Sequence, residues 1–186
     1  QFIAAFLLVY PGHFQLTSLH GFLGLTALNP VFSLLFSFIT ILVVVNAFNL
    51  IDGVDGLAGT LGLVSTLFFG VVFTIEKDFS FAILSFSMAA SLLAFLFYNF
   101  SPAKIFMGDT GSLALGGGVA ALALFSRTEI LLPIVGGLFV ILTGSVILQR
   151  LYFKATGGRR IFYSSPLHHH YEIKGWAEVT IVVRFW

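Results

Sequence analysis

The sequence contains no cysteine, which removes disulfides, thiolate metal sites and cysteine nucleophiles from consideration. It is almost as poor in charge. Lys, Arg, Asp and Glu together make up 9% of its 186 residues, against about a quarter in a soluble domain. No signal-peptide pattern opens it, because Gln1 leads straight into an apolar run with no charged leading region. There is no internal repeat and no low-complexity linker. The net charge of +1 says little about partners, and no nucleic acid is expected among them.

What the chain does have is apolar length. Hydrophobic residues make up 58%, 23 of them Phe, and the mean hydropathy is +1.03. A membrane-spanning helix needs about 20 mostly apolar residues, within a range of roughly 17–25. Five runs qualify, at about 31–48, 58–75, 79–98, 110–126 and 129–149. Residues 2–10 and 179–186 read as the remains of two more, so the expected fold is an all-α, polytopic transmembrane helix bundle and part of a larger protein. Gly116-Gly117-Gly118 and Gly136-Gly137 suit close helix–helix approach in lipid. The polar segment 12–29, with His13 and His20, reads as an extramembrane loop.

Alternation of the spans puts the loops near 49–57, 99–109 and 150–178 on one membrane face. Those near 76–78 and 127–128 fall on the other, with 12–29. The first face holds Lys104, Arg150, Lys154, Arg159, Arg160 and Lys174, and the second only Lys77 and Arg127, each beside an acidic residue. The positive-inside rule makes the first face cytoplasmic and the 12–29 loop extracytoplasmic.

Three polar segments share that cytoplasmic face. In the first, Asn46, Asn49, Asp52 and Asp55 recur every three residues, a spacing that sets neighbours along one edge of a helix. Gly53, Gly56 and Gly59 leave the edge without bulk, so a ligand or another helix can come close. A solvated acidic helix end accounts for a single Asp but poorly for a row of two amides and two carboxylates. Ionisable groups near membrane depth are candidates for function. The glycine-rich turn lacks the oxygen ligands of a calcium loop.

In the second segment Pro102 breaks the chain, and Met107-Gly-Asp-Thr-Gly-Ser112 leads into the next run. Asp109, Thr110 and Ser112 are plausible N-caps, and the segment works as a plain helix start. A helix N-terminus can also take an anion, and an Asp there binds phosphate through Mg²⁺, which takes one or two carboxylates with substrate phosphates. The third segment, within the polar stretch 150–178, carries His168, His169 and His170. In an extended chain His168 and His170 would share a side and His169 would oppose them. An exposed basic loop, a transition-metal site and a diphosphate contact are all open readings.

The motifs NAFNLIDGVDGLAG, YNFSPAKIFMGDTGSLALGG and PLHHHYEIKGWAEVTIVVRFW resemble the polyprenyl-phosphate N-acetylhexosamine-1-phosphate transferases over nearly the whole chain. The resemblance implies a bacterial cytoplasmic-membrane enzyme with its active site facing the cytoplasm. It would use Mg²⁺ to transfer a phospho-sugar from a UDP-activated amino sugar to undecaprenyl phosphate, releasing UMP; a homodimer is compatible with it. The first motif and YNFSPAKIF resemble the N-acetylglucosamine-1-phosphate branch, and the muramoyl-pentapeptide branch usually has Thr where Ile51 stands. From GDTGSLALGG onward the chain resembles the muramoyl-pentapeptide branch, which is the favoured reading.

Carried onto matching positions, the resemblance makes Asp109 a Mg²⁺ ligand, with Asp52 a second candidate. Asn46, Asn49, Asp52, Asp55 and Asn99 would line the nucleotide site, and Phe106 would stack on uracil. His168, His169 and His170 would meet the phosphates or sugar, so that Asp52, Asp55, Asp109 and the three histidines form the expected catalytic set. The family's aspartate pair followed by lysine would lie upstream of Gln1, which leaves open whether this segment is active alone. A transporter would instead place acids at the membrane midplane within repeated halves, and a purely structural subunit would leave the three coincident loops unexplained.

Overall fold

A computed structural model describes residues 1–12, 15–16, 28–126 and 137–185. Eight α-helices and no strand occur among them: α1 (Phe2–Val9), α2 (Pro30–Ile51), α3 (Leu57–Ile75), α4 (Phe79–Asn99), α5 (Gly108–Phe125), α6 (Gly137–Ala155), α7 (Leu167–Ile173) and α8 (Glu178–Phe185). Helices α2 to α5 are each long and apolar enough to cross a membrane. The protein is therefore a polytopic helical bundle, as its composition predicts. The fifth expected span, 129–149, is described only from Gly137 onward, where α6 runs on to Ala155. Most of the expected loop 12–29 lies outside the described residues.

The helix boundaries follow local chemistry. Pro30 occupies the first turn of α2, and the Asn29 side chain accepts the Val31 N–H at 3.0 Å, satisfying one of the orphan donors of a helix start. Asp78 caps α4 in the same way, accepting from the Phe81 N–H. Helix α3 packs along α4 and α2 along α5, while α1 and α6 lie against α2. This pairing brings the C-termini of α2 and α4 and the N-termini of α3 and α5 to one end of the bundle.

Two apolar clusters hold the bundle. One joins Phe48, Ile51, Leu57, Phe69 and Leu122 across α2, α3 and α5; the other joins Val9, Ile41, Val45 and Leu124 across α1, α2 and α5. Buried hydroxyls return their protons to the preceding turn, as Ser65 does to the Leu61 carbonyl at 2.8 Å and Thr66 to Gly62 at 2.8 Å. Such bonds satisfy these donors in an apolar surround, whereas the Thr143 hydroxyl finds no partner among the described residues. Large side chains such as Phe32, Ile83 and Phe97 point outward, as a lipid-facing surface requires.

Close approach of α2 and α5 depends on Gly116. A Cβ there would lie 2.8 Å from the Val45 Cα and 3.3 Å from the Val44 carbonyl oxygen, both backbone atoms that cannot turn aside. Gly116→Val is therefore expected to force α2 and α5 apart at a cost of about 1–3 kcal/mol. A fall in the detergent-solubilised melting temperature would register it, and an unchanged value would show that the contact yields. Gly137 of the other glycine pair meets nothing within 4 Å, and Gly136 lies outside the described residues.

Candidate active site

The first polar segment does not remain helical through Asp55. Helix α2 ends at Ile51, Asp52 is its C-cap, and Gly56 takes φ 81° before α3 begins, a left-handed conformation open to glycine. Only Asn46 and Asn49 of the expected row are therefore on the helix, and they part company. The Asn46 amide donates to Gln1 Oε1 at 3.0 Å and to the Leu42 carbonyl at 2.7 Å, which turns it toward α1. Asn49 donates through Nδ2 to Asp109 Oδ1 at 3.0 Å and to Ser112 Oγ at 3.2 Å. That link joins the first two polar segments across the α2–α5 interface.

Two further links staple the turn 52–56 to the loop 100–107. Buried Asn99 accepts the Gly56 N–H through Oδ1 at 3.0 Å and donates through Nδ2 to the Ile105 carbonyl at 2.9 Å. Asp55 Oδ2 accepts the Ala103 N–H at 2.9 Å. Asn99 and Asp55 thus shape the loops that carry the other groups. Phe106, on the second loop, is 76% exposed and free to meet a planar ligand.

Asp109 is not a helix cap, nor are Thr110 or Ser112. Helix α5 starts one residue earlier, at Gly108, with Met107 at the N-cap and no side-chain cap. Asp109 consequently sits in the first turn, where the helix dipole favours a negative charge and its carboxylate is left to face Asn49. Asp52 lies close by. Burial pushes its carboxyl up to about 6, the Gly108 N–H bonded to it pulls the other way, and the charge of Asp109 adds to the rise.

Two carboxylates that repel, with amide and hydroxyl oxygens beside them, make a donor set suited to a hard divalent cation. No group of three or more His, Asp or Glu side chains gathers around one point among the described residues. Asp52 and Asp109 are two carboxylates that could contribute to holding such a cation.

The histidines lie on a helix and not on an extended chain. The Ser165-Pro166 junction feeds α7 with Pro166 at its N-cap, so successive side chains step round by about 100°. His168 and His169 both reach the α2–α3 turn. A Cβ on Gly53 would lie 3.0 Å from His168 Nε2 and 3.3 Å from His169 Nε2. His170 faces elsewhere, accepting the Tyr163 N–H through Nδ1 at 3.1 Å and stacking on the Tyr163 ring. His169 Nδ1 lies 2.5 Å from Glu172 Oε2. A carboxylate only accepts, so this contact puts the proton on Nδ1 and leaves Nε2 facing Gly53.

His168 is fully buried, and neither ring nitrogen has a hydrogen-bond partner among the described residues. Burial, helped by the neighbouring His169, lowers its pKa to about 4 from an ordinary 6.5. Between those values the unfolded chain holds a proton that the folded one lacks. Stability is therefore complete above about pH 6.5 and falls as the pH drops toward 4. The full loss is on the order of 3 kcal/mol. Thermal melts from pH 7.5 to 4.5 should show this decline, and a His168→Phe variant should flatten it; an equal decline in both would assign the effect elsewhere.

Sequence reasoning missed three residues of this region. Ser112, a plausible cap by its position, is instead an acceptor for Asn49. Glu172 sits three positions from His169, a helical spacing that an extended reading of the histidines conceals. Gln149, inside an apolar run, binds the loop after α6: its Oε1 accepts the Ile161 and Phe162 N–H groups at 3.0 Å each, and Nε2 donates to the Phe162 carbonyl at 3.1 Å. A nearly buried Gln at a span end was the available signal.

Comparison with known proteins adds to the geometry. The sequence model of glycosyl transferase family 4 matches residues 1–127. A phospho-N-acetylmuramoyl-pentapeptide-transferase of Listeria monocytogenes serotype 4b is 51% identical, over 76% of this chain and 44% of the relative. A protein of that name from Clavibacter michiganensis is 49% identical over 76% of this chain and 44% of the relative. Another, from Pseudarthrobacter chlorophenolicus, is 46% identical over 88% of this chain and 49% of the relative. The chain thus spans slightly under half the length of these curated relatives.

Proposed function

The chain belongs to glycosyl transferase family 4, and on that premise we propose that it carries most of the active site of a Mg²⁺-dependent transferase. The full-length protein would move phospho-MurNAc-pentapeptide from UDP-MurNAc-pentapeptide to undecaprenyl phosphate and release UMP. The observation that carries this reading is convergence. Asn49, Asp52 and Asp109 cluster at one end of the bundle, His168 and His169 close on the same turn through Gly53, and relatives aligned over 76% to 88% of the chain bear the pentapeptide name. The excess of Lys and Arg on that face supports a cytoplasmic orientation in the bacterial inner membrane.

Asp109 and Asp52 would hold the Mg²⁺, which when bound supplies charge neutralisation to the donor diphosphate. Asn49 fixes the Asp109 carboxylate. Asp55 and Asn99 hold the two loops in register, so that Phe106 presents its ring to the uracil. His169, oriented by Glu172 with its proton on Nδ1, offers the Nε2 lone pair to a sugar hydroxyl. Phosphoryl transfer needs positioning and charge stabilisation above all, and these groups supply both.

The Ile51 side chain is fully buried in the core, so its departure from Thr is a change in packing beneath the turn. Assay of the full-length protein in vesicles with undecaprenyl phosphate and Mg²⁺ should show UMP release from UDP-MurNAc-pentapeptide and far less from UDP-GlcNAc. Turnover of UDP-GlcNAc alone would move the protein to the other branch, and turnover of neither would sink the enzyme reading.

A further inference from the structure

We propose that a cationic cavity behind the histidine helix receives the carboxylate-bearing peptide of the donor and sets the preference for a peptidyl sugar. This rests on the donor reading above and extends it to a second subsite. The cavity, about 620 Å³, lies between the end of α6 and the segment leading into α7, and its walls include Arg150, Lys154, Arg160, Ser164 and Ser165. Its volume is that of a small-molecule site, for which roughly 300–1,000 Å³ is usual.

Its charge is one-sided. No Asp or Glu occurs between residues 130 and 171, and none of the three cations forms an ion pair within the described residues. Their charge is thus available to an anion. The cavity's shape is also held: Gln149 ties residues 161 and 162 back onto α6 by three hydrogen bonds.

Position connects the cavity to the acidic cluster. The Tyr163 ring lines it and stacks on His170, while His168 and His169 of the same helix face Gly53. Helix α7 therefore stands between the two sites. An extended pentapeptide reaches roughly 17 Å, which exceeds the roughly 10 Å width of a helix with its side chains. A sugar held at the acidic cluster could thus pass its peptide over α7, with the free C-terminal carboxylate ending among Arg150, Lys154 and Arg160. A peptide-free UDP-sugar has nothing to place there.

The test compares dissociation constants of UDP-MurNAc-pentapeptide and peptide-free UDP-MurNAc for the full-length protein in zwitterionic vesicles. Wild type is expected to bind the peptidyl donor more tightly. Arg150→Gln, Lys154→Gln and Arg160→Gln combined should weaken that donor at least tenfold, a change expected from losing charge-assisted contacts. Binding of the peptide-free donor should stay within twofold. Equal weakening of both donors, or of neither, would overturn the proposal. So would a defect that appears only in vesicles containing anionic phospholipid, which would make the cavity a lipid-headgroup site. A wild type that binds neither donor defeats the donor reading itself, a result distinct from one that binds both and discriminates without these cations.

Discussion

Replacing Asp109 with alanine in the full-length protein should lower the rate of UMP release by at least about 10³-fold, the scale of losing a group that stabilises developing charge. The fold should survive. Asp109 is exposed in the first turn of α5, makes no cap bond, and gives up only its contact with the Asn49 amide. Asp109→Asn is the sharper variant, because it keeps the shape and the acceptor oxygen for Asn49 while removing the charge. If charge is what the site needs, both variants fail alike and their melting temperatures match wild type. Wild-type-like turnover by Asp109→Asn would reduce the residue to a hydrogen-bond partner and leave Asp52 as the metal-binding candidate.

Asp109 also shows what the sequence makes legible and what it withholds. Its place at the same end of the bundle as Asp52 follows from counting apolar runs, since hydrocarbon thickness constrains helix length severely. The meeting of residues 49 and 109 does not follow, because it depends on which helices pair. Close α2–α5 packing is enforced by Gly116 against the backbone of Val45, and nothing in a linear pattern selects that partner. The three-residue spacing of Asn46, Asn49, Asp52 and Asp55 suggests one edge, yet α2 ends at Ile51 with Asp52 as its C-cap, and the chain turns through left-handed Gly56 into α3. The row then splits into a strut toward α1, a pair beside Asp109 and a loop clamp. The histidines went the other way: an extended reading opposed His169 to its neighbours, whereas the turn of α7 brings His168 and His169 to one glycine.

That glycine carries the second large effect. Gly53→Val is expected to reduce kcat/KM about 10²-fold with little loss of stability, and Gly53→Ala to do so more mildly. Gly53 itself is exposed, so the added methyls do not enter the core. They act on what faces them. A Cβ at Gly53 would stand 3.0 Å from His168 Nε2 and 3.3 Å from His169 Nε2, tighter than side chains normally approach. His168 cannot swing aside, because it is fully buried. His169 is held by Glu172 at 2.5 Å. The strain must therefore move α7 as a body, and displacing a positioning element by about 1 Å is enough for a loss of that size. Glu172→Gln provides the discriminating partner. If Gly53→Val acts by shifting the helix that Glu172 helps to order, the double variant should lose less than the product of the two single losses. Independent, multiplicative losses would separate Gly53 from the histidines, and undiminished activity of Gly53→Val would show that the gap between turn and helix is not part of the working site.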